Sequence, residues 1–255
     1  MGKIIALFNQ SGGVGKTSLT MNLGYHLTQK NHKVLLIDLD PQSSLTVFMG
    51  LDPDELGSTI KDSIVEGKPI NPYPEVINGM KLVPTDIHLA AAEMQLFTAF
   101  SREQKLKNVL NPIKDDYDYI LIDCPPSLGL LSILALTAST HLLVPIQCQY
   151  KSFKSTELLL STIIQTKEEI NPSLEVLGFV PTMLDNRTAQ ESRMLQALAN
   201  NLTGVAPIFP PIPKAIAFAD ASEAHLPLEL YDKRHPALKV LKQITRKIID
   251  GTKEK

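Results

Sequence analysis

A short glycine-rich run near the N-terminus has the residue types that hold a polyphosphate. The run reads GGVGKT from Gly12 to Thr17, and it lies between an apolar segment and a segment with helical spacing. Glycines permit backbone conformations that turn several N–H groups inward, and they place no Cβ in the way. The positive end of a following helix adds to the attraction. We expect the Lys16 ammonium to bridge the β- and γ-phosphates and the Thr17 hydroxyl to bind Mg²⁺.

This run departs from the common phosphate-loop pattern G-x-x-x-x-G-K-[ST]. Gln10 stands where that pattern has its first glycine, so the motif is a variant. A glycine-rich turn without function is the alternative, and the position between a predicted strand and a predicted helix argues against it. The residues expected to contact the nucleotide are Ser11, Gly12, Gly13, Val14, Gly15, Lys16, Thr17 and Ser18.

Three aspartates follow two later apolar segments. Asp38 and Asp40 come at the end of one segment, and Asp123 comes at the end of another. Because ligands bind at the carboxyl ends of parallel strands, we expect these carboxylates to face the glycine run. We assign Mg²⁺ to Thr17, Asp40 and Asp123, and we count Lys16, Asp38 and Asp40 as catalytic, with Asp40 orienting the attacking water. For each aspartate the alternative is a carboxylate that only caps a loop.

Apolar segments alternate with segments of helical spacing along the chain. Strands are predicted at 3–8, 34–39, 81–83, 119–123, 141–146 and 176–180, and helices at 17–29, 89–100, 102–113, 130–138, 154–169, 189–200 and 236–250. This alternation predicts an α/β fold with a doubly wound, mainly parallel sheet in a single domain, 1–255. The proline-rich stretch 52–84 is expected to be an insertion with little regular structure, and 207–213 a rigid loop.

The overall composition excludes several classes of protein. The chain has 255 residues with a formal net charge of −2, and its two cysteines, Cys124 and Cys148, are too few for a disulfide framework or a zinc site. No apolar run approaches the ~20 residues of a membrane span. We therefore expect a cytoplasmic protein without membrane attachment.

Positive charge is concentrated at the C-terminus, where residues 232–255 contain eight basic and three acidic residues. The predicted helix 236–250 has one apolar stripe, and its cations lie off that stripe. Several cations on one face suit sequence-independent contact with DNA phosphates. The alternative is an ordinary solvated helix face. The candidate DNA-binding residues are Lys239, Lys242, Arg246 and Lys247, with Arg187, Arg193 and Lys214 extending the patch.

Taken together, these motifs resemble the deviant-Walker ATPases of the ParA/MinD/Soj class. The resemblance is carried by the segments 9–18, 35–42, 117–129, 181–188, 221–224 and 230–232, and it extends over nearly the whole chain. It implies a P-loop NTPase fold, ATP and Mg²⁺ as cofactors, a sandwich homodimer formed on ATP binding, and slow hydrolysis. It also implies nonspecific DNA binding on the nucleoid and release by a ParB-like or McdB-like partner that stimulates hydrolysis.

One residue departs from the family pattern. Ser11 stands where the family has a signature lysine that reaches the nucleotide of the other subunit. Facing ATP molecules need a compensating cation, and Lys151 is our first candidate, with Lys154 second. A plain surface lysine is the alternative. The serine is similar to the McdA-type branch that positions carboxysomes; the other reading within the class is a plasmid or chromosome partition ATPase.

The resemblance also implies a nucleobase pocket and leaves three other functions to be weighed. Met183, Pro210, Pro211 and Ile212 are the candidates for contacts with adenine, although packing explains them equally well. A MinD-like membrane helix is disfavoured because no apolar residue follows Ile249. A reductase with an iron–sulfur cluster is disfavoured by the cysteine spacing. A scaffold that binds nucleotide without hydrolysing it stays open because Ser11 is unusual.

Overall fold

A computed structural model describes residues 2–147, 152–185, 189–202 and 204–252. Six strands form one sheet with the spatial order β3-β2-β4-β1-β5-β6, and every pairing between them is parallel. This arrangement confirms the predicted parallel sheet. The strands are β1 (Lys3–Leu7), β2 (Val34–Asp38), β3 (Lys81–Val83), β4 (Tyr119–Asp123), β5 (His141–Gln147) and β6 (Glu175–Thr182).

Helices cover both faces of the sheet, as a doubly wound fold requires. Successive strand residues point to opposite faces, so Ile5 and Leu36 enter one core while Ala6 and Ile37 enter the other. The helices are α1 (Lys16–Thr28), α2 (Ser44–Phe48), α3 (Ile60–Glu66), α4 (His88–Leu96), α5 (Lys105–Leu110), α6 (Leu130–Ala138), α7 (Ser152–Glu169), α8 (Ala189–Leu202), α9 (Ala217–Glu223), α10 (Leu228–Tyr231) and α11 (Ala237–Gly251). The core that contains Ala6 and Ile37 also contains residues of α3 to α8, and the core that contains Ile5 and Leu36 also contains residues of α1, α2 and α9 to α11.

The expectation of little regular structure in 52–84 was wrong for part of that stretch. Helix α3 forms there, with Ile60 and Ile64 fully buried. The Asp62 carboxylate accepts the Thr59 backbone N–H at 2.8 Å, which satisfies a donor at the helix start. Gly67 ends the helix in the left-handed conformation, φ +71°. Prolines on either side conceal this seven-residue helix in the sequence.

Two other predicted helices are shorter than expected. Helix α4 ends at Leu96, and the residues predicted as helix 102–113 divide into a 3₁₀ turn, Arg102–Gln104, and helix α5. In the described part of the chain, no helix combines the length and the apolar character needed to cross a membrane.

The sheet places the predicted site residues at one edge. Asp123 is in register with Leu7 of β1 and with Asp38 of β2, so the ends of three neighbouring strands lie level. The chain leaves β1 through the glycine run and enters α1 immediately afterwards. The carboxyl-end position predicted for all three motifs is therefore confirmed.

Candidate functional site

The glycine run forms a loop whose shape depends on two left-handed residues. Gly13 has φ +70°, and Gly15 has φ +87° at the N-cap of α1. A side chain strains the backbone in this region, which explains the glycines. Strands β5 and β6 hold the loop in place, because Thr182 Oγ1 donates to Val14 O at 2.9 Å and Asn9 Nδ2 donates to Pro145 O at 2.6 Å. The loop is therefore fixed before any ligand binds.

The Lys16 ammonium lies inside this loop. Its Nζ donates to Asn9 O at 3.0 Å and to Ser11 O at 2.9 Å. Burial lowers the pKa of Lys16, and the charges of Asp123 and Asp40 oppose that shift. Two loop carbonyls thus hold the ammonium group within the glycine loop.

Asp123 is fully buried beside this lysine, at 0% exposure. Neither carboxylate oxygen has a hydrogen-bond partner of good geometry among the described residues. The Thr17 side chain is close enough to favour the charged form, but burial and the nearby Asp38 raise the pKa of Asp123 well above its usual value. A buried carboxylate without a partner is costly, and a cation is the natural way to satisfy it. Carboxylate and hydroxyl oxygens also suit Mg²⁺, so Asp123 and Thr17 fit the predicted metal.

Asp38, in contrast, has both oxygens engaged. Its Oδ2 accepts the backbone N–H of Thr46 at 2.8 Å and the Thr46 hydroxyl at 2.7 Å, and its Oδ1 accepts the Asp40 N–H at 3.1 Å. Burial raises the pKa of Asp38 to about 7 against the effect of these bonds. The geometry makes Asp38 a tie between β2 and α2 that positions Asp40. Thr46, which also accepts the Thr85 N–H at 3.1 Å, was missed because no sequence pattern distinguishes it.

The loop opens into a cleft of 360 Å³. Most of the predicted nucleotide residues line it together with Asp40, whereas Ser11 is not among the lining residues. The Asp40 carboxylate accepts the Gln42 N–H at 3.0 Å, and burial raises its pKa. Lys151 lies outside the described residues, so its role stays a prediction. The lining residues are Gly12, Gly13, Val14, Gly15, Lys16, Thr17, Ser18, Asp40, Gln42, Ser44, Phe48, Pro126 and Met183.

An apolar pocket of 240 Å³ adjoins the cleft and shares Gly15, Ser18 and Met183 with it. Met183 and Ile212 line this pocket as predicted for a nucleobase site, but Pro210 and Pro211 do not. The proline-rich segment runs beside β6, where Ile212 N–H donates to Pro181 O at 2.8 Å, and this path brings Pro213 to the pocket instead. The residues that the sequence did not single out are Leu19, Thr182, Pro213, Ala215, Ile216 and Phe218.

Helix α11 has the predicted two-sided character. Leu238, Leu241, Ile244 and Ile248 are buried, while Lys239, Lys242, Arg246 and Lys247 are exposed. Lys242 forms an ion pair with Glu229 of α10, and the Lys247 ammonium lies 5.6 Å from the Phe209 ring centroid.

Two of the other candidate DNA-binding cations, Arg193 and Lys214, lie away from this helix. Arg193 is exposed on α8, which packs on the opposite face of the sheet, so its expected contribution to the patch was wrong. Lys214 borders the apolar pocket beside the cleft, and Arg187 lies outside the described residues.

A left-handed glycine loop between a parallel strand and a helix, with a buried lysine and an aspartate on the neighbouring strand, defines a P-loop nucleoside triphosphatase. Residues 2–176 match a family model described as an AAA domain. The chain is 33% identical over 251 residues, 98% of both chains, to the chromosome-partitioning ATPase Soj of Treponema pallidum. The protein belongs to the ParA/MinD family of ATPases.

Two solved structures are similar over most of the chain. The structure named cobyrinic acid a,c-diamide synthase from Mycobacterium smegmatis, with bound ATP analogue and magnesium, has a TM-score of 0.80 and 35% identity, and it covers 91% of this chain and 93% of that chain. A complex of Cyanothece McdA with ATP has a TM-score of 0.86 and 26% identity, covering 100% of this chain and 98% of that one. The structural likeness thus includes proteins that hold ATP or its analogue.

Proposed function

We propose that the cleft binds ATP with Mg²⁺ and that slow hydrolysis times the attachment of the protein to DNA. The observation that carries this proposal is the fully buried Asp123 carboxylate beside Lys16 and the glycine loop. A bound cation stabilises a carboxylate in such a place, and an ammonium beside left-handed glycines is suited to phosphate oxygens. The ATP analogue and magnesium in the Mycobacterium smegmatis structure support the same ligand.

Each residue of the cleft then has a separate task. The backbone N–H groups from Gly13 to Thr17 bind phosphate oxygens, and Lys16 exchanges its two loop carbonyls for the β- and γ-phosphates. Thr17 and Asp123 would hold Mg²⁺, which would neutralise charge that develops on the phosphates. Asp40, positioned by Asp38, orients the attacking water. Hydrolysis is slow because Asp40 orients the water without acting as a strong base.

Calorimetry tests the ligand directly. Wild-type protein titrated with ATP·Mg²⁺ is expected to release heat, and a Lys16→Ala variant is expected to bind at least about 10-fold more weakly because it loses a charge-assisted contact to phosphate. A Lys105→Ala variant on α5, outside the cleft, serves as the charge-matched control. Equal affinity in the Lys16→Ala variant would contradict the assignment.

We further propose that ATP joins two copies of the chain face to face. Ser11 cannot supply a cation to the partner's nucleotide, so Lys151 is assigned that role by its place after β5. Lys151→Ala is expected to abolish ATP-dependent dimerisation and DNA binding, and Lys154→Ala is the comparison. Dimerisation that survives in Lys151→Ala removes this role.

DNA binding is proposed for the exposed face of α11. Pairing two copies doubles the number of cations that reach phosphates, which gives a physical reason for DNA binding to depend on ATP. Charge reversal at Lys242, Arg246 and Lys247 is expected to abolish DNA retention while ATP hydrolysis continues. DNA retention unchanged in that variant would argue against the assignment to α11.

The cargo that such a dimer would position on the nucleoid is proposed from the comparisons. Ser11 and the similarity to Cyanothece McdA favour carboxysomes and an McdB-like partner. The 33% identity to a chromosome-partitioning ATPase favours DNA cargo and a ParB-like partner as the second candidate. Fluorescence imaging after deletion of the gene separates them, because clustered carboxysomes support the first function and lost chromosomes or plasmids support the second.

A further inference from the structure

A groove of 560 Å³ lies between the C-terminal part of α1, α10 and α11. It is separate from the nucleotide cleft, because the two share no lining residue. Helix α1 begins at the glycine loop and reaches this groove with its last turn. The lining residues are Tyr25, His26, Gln29, Lys30, Glu229, Leu230, Lys233, Lys242, Thr245 and Arg246.

The charge of this groove is strongly positive. Its lining contains three lysines and an arginine, which come from α1, α10, α11 and their flanking residues, and one carboxylate, Glu229. The Glu229 carboxylate is already engaged, because it pairs with Lys242 and lies 3.3 Å from His26 Nδ1. Lys30, Lys233 and Arg246 have no ion-pair partner among the residues that the structure describes. Three cations thus converge on one space in which the one carboxylate is already engaged.

A buried and incompletely bonded histidine forms part of the wall. His26 is only 3% exposed, and its Nε2 has no hydrogen-bond partner in the described part of the chain. Burial lowers the pKa of His26 to about 4, with Glu229 acting against that shift, so the ring is neutral near pH 7. An orphaned buried ring nitrogen is costly, and an anion bound in the groove near the ring would favour its protonated form.

We propose that this groove is a binding site for a phosphate group, in which Lys30, Lys233 and Arg246 supply the positive charge and His26 forms part of the wall. The phosphate is either a phosphodiester of a DNA backbone or part of a small pyrophosphate-like compound. An anion in the groove near the ring favours the imidazolium form, in which both ring nitrogens are donors and Nδ1 donates to Glu229. The DNA source rests on the DNA binding proposed above, whereas the small-ligand source does not.

Glu229 has a defined place in this site. Its carboxylate forms an ion pair with Lys242 and is the one negative charge among the lining residues. It therefore competes with an incoming phosphate for the cations of the groove. A Glu229→Gln variant releases Lys242 and removes that charge while keeping the shape of the side chain. Binding of phosphate in the groove is therefore expected to become tighter in this variant. Replacement of Lys30 or Lys233 is expected to weaken it.

The first experiment measures DNA affinity of the full chain with ATP and Mg²⁺ as a function of salt. Lys30→Ala/Lys233→Ala is expected to lower the affinity by about 10-fold at low salt and to reduce the salt slope by about 1 for each lysine that contacts a phosphate. Glu229→Gln is expected to raise the affinity. The matched control, Lys61→Ala/Lys105→Ala, removes the same charge from α3 and α5 on the opposite face of the sheet and is expected to leave the slope unchanged.

The second experiment uses pyrophosphate as the probe. The chain is first saturated with ADP and Mg²⁺ so that the glycine loop is occupied, and the His26 ring signals are followed by NMR, with His26→Gln for assignment. A shift toward the imidazolium in wild type, lost in Lys30→Ala/Lys233→Ala, supports a small phosphate ligand. If Lys30→Ala/Lys233→Ala weakens DNA binding but pyrophosphate does not shift the His26 signals, the ligand of the groove is a phosphodiester of the DNA backbone.

The two experiments also separate this proposal from the proposed function. If the double lysine variant binds DNA like its control and pyrophosphate leaves the His26 signals unmoved, the groove is not a phosphate site. If wild-type protein fails to bind DNA at all, the proposed DNA function is wrong. The pyrophosphate titration alone then decides whether the groove binds phosphate. Unchanged or weaker phosphate binding in a folded Glu229→Gln variant overturns the role given to Glu229.

Discussion

At the residue scale, the site depends on two charges that are costly to bury. The Lys16 ammonium is held by the carbonyls of Asn9 and Ser11, and the Asp123 carboxylate stands beside it without a hydrogen-bond partner among the described residues. Both arrangements are unfavourable in an empty protein interior and favourable once a magnesium-bound polyphosphate is present. Burial of Lys16 and Asp123 therefore costs free energy in the unliganded protein, and the same two residues favour binding of a magnesium-bound polyphosphate.

The Thr46 hydroxyl gives a test of how Asp40 is positioned. Thr46→Val removes one donor to Asp38 and leaves the buried carboxylate less satisfied, so we expect about 1–3 kcal/mol less stability and slower ATP hydrolysis at unchanged ATP affinity. Thr46→Ser keeps the hydroxyl and is expected to restore hydrolysis. Chemical unfolding and single-turnover hydrolysis measure the two effects. Normal hydrolysis in a folded Thr46→Val variant would show that this bond does not position Asp40.

At the element scale, helix α1 connects the nucleotide cleft with the second core. Its N-terminus carries the phosphate loop, and Leu19, Leu23 and Leu27 are buried against the sheet. Asn22 Oδ1 accepts the Leu228 N–H at 2.8 Å, which joins α1 to α10. The position of the phosphate loop is thereby tied to the elements that form the basic groove.

Gly178 of β6 tests how closely the proline-rich segment approaches the sheet. Its φ is +148°, and an added Cβ would lie 2.5 Å from the Phe209 ring and collide with Pro207 O. We expect Gly178→Ala to lower the free energy of unfolding by about 3 kcal/mol, because backbone and ring both have to shift. Gly57→Ala, where no atom lies within 4 Å, is the control and is expected to change little. Equal unfolding midpoints for the two variants would refute the close approach.

The buried His26 predicts a dependence of stability on pH. Its pKa is about 4 in the folded chain against 6.5 in the unfolded chain, so the unfolded chain binds more protons between these values. Stability is therefore fully present above pH 6.5 and falls as the pH decreases toward 4, by at most about 3 kcal/mol. Glu229, Lys242 and the Tyr25 ring are the groups that face His26.

Urea unfolding at several pH values measures this effect. The loss of stability between pH 6.5 and 4 is expected to be smaller in His26→Gln than in wild type, since the variant has no imidazole to protonate. Parallel pH profiles for the two proteins would mean that His26 does not contribute.

What the sequence could predict depends on how local each feature is. The glycine loop and the aspartates at strand ends are local, and the alternation of strands and helices placed them on one edge of the sheet. Thr46 and the pocket residues Ala215 and Ile216 could not be predicted, because their role depends on the path of the chain in three dimensions. Arg193 was misplaced for the same reason, since α8 packs on the other face.

At the scale of the whole molecule, one ligand is expected to change the state of assembly. The cleft lies at the carboxyl edge of the sheet, and two facing copies would bring two triphosphates together in one interface. Cations must compensate that charge, and Lys151 is the residue proposed for this task. We expect dimerisation, DNA binding and release to depend on the presence of the γ-phosphate.

Light scattering on the Asp40→Ala variant tests this central claim most directly. The variant keeps Lys16, Thr17 and Asp123 and lacks the carboxylate proposed to orient water, so it is expected to bind ATP without hydrolysing it. With ATP and Mg²⁺ its molar mass is expected to be twice that of one chain, and with ADP and Mg²⁺ that of one chain. A mass that stays at one chain at every ATP concentration would contradict the proposed mechanism.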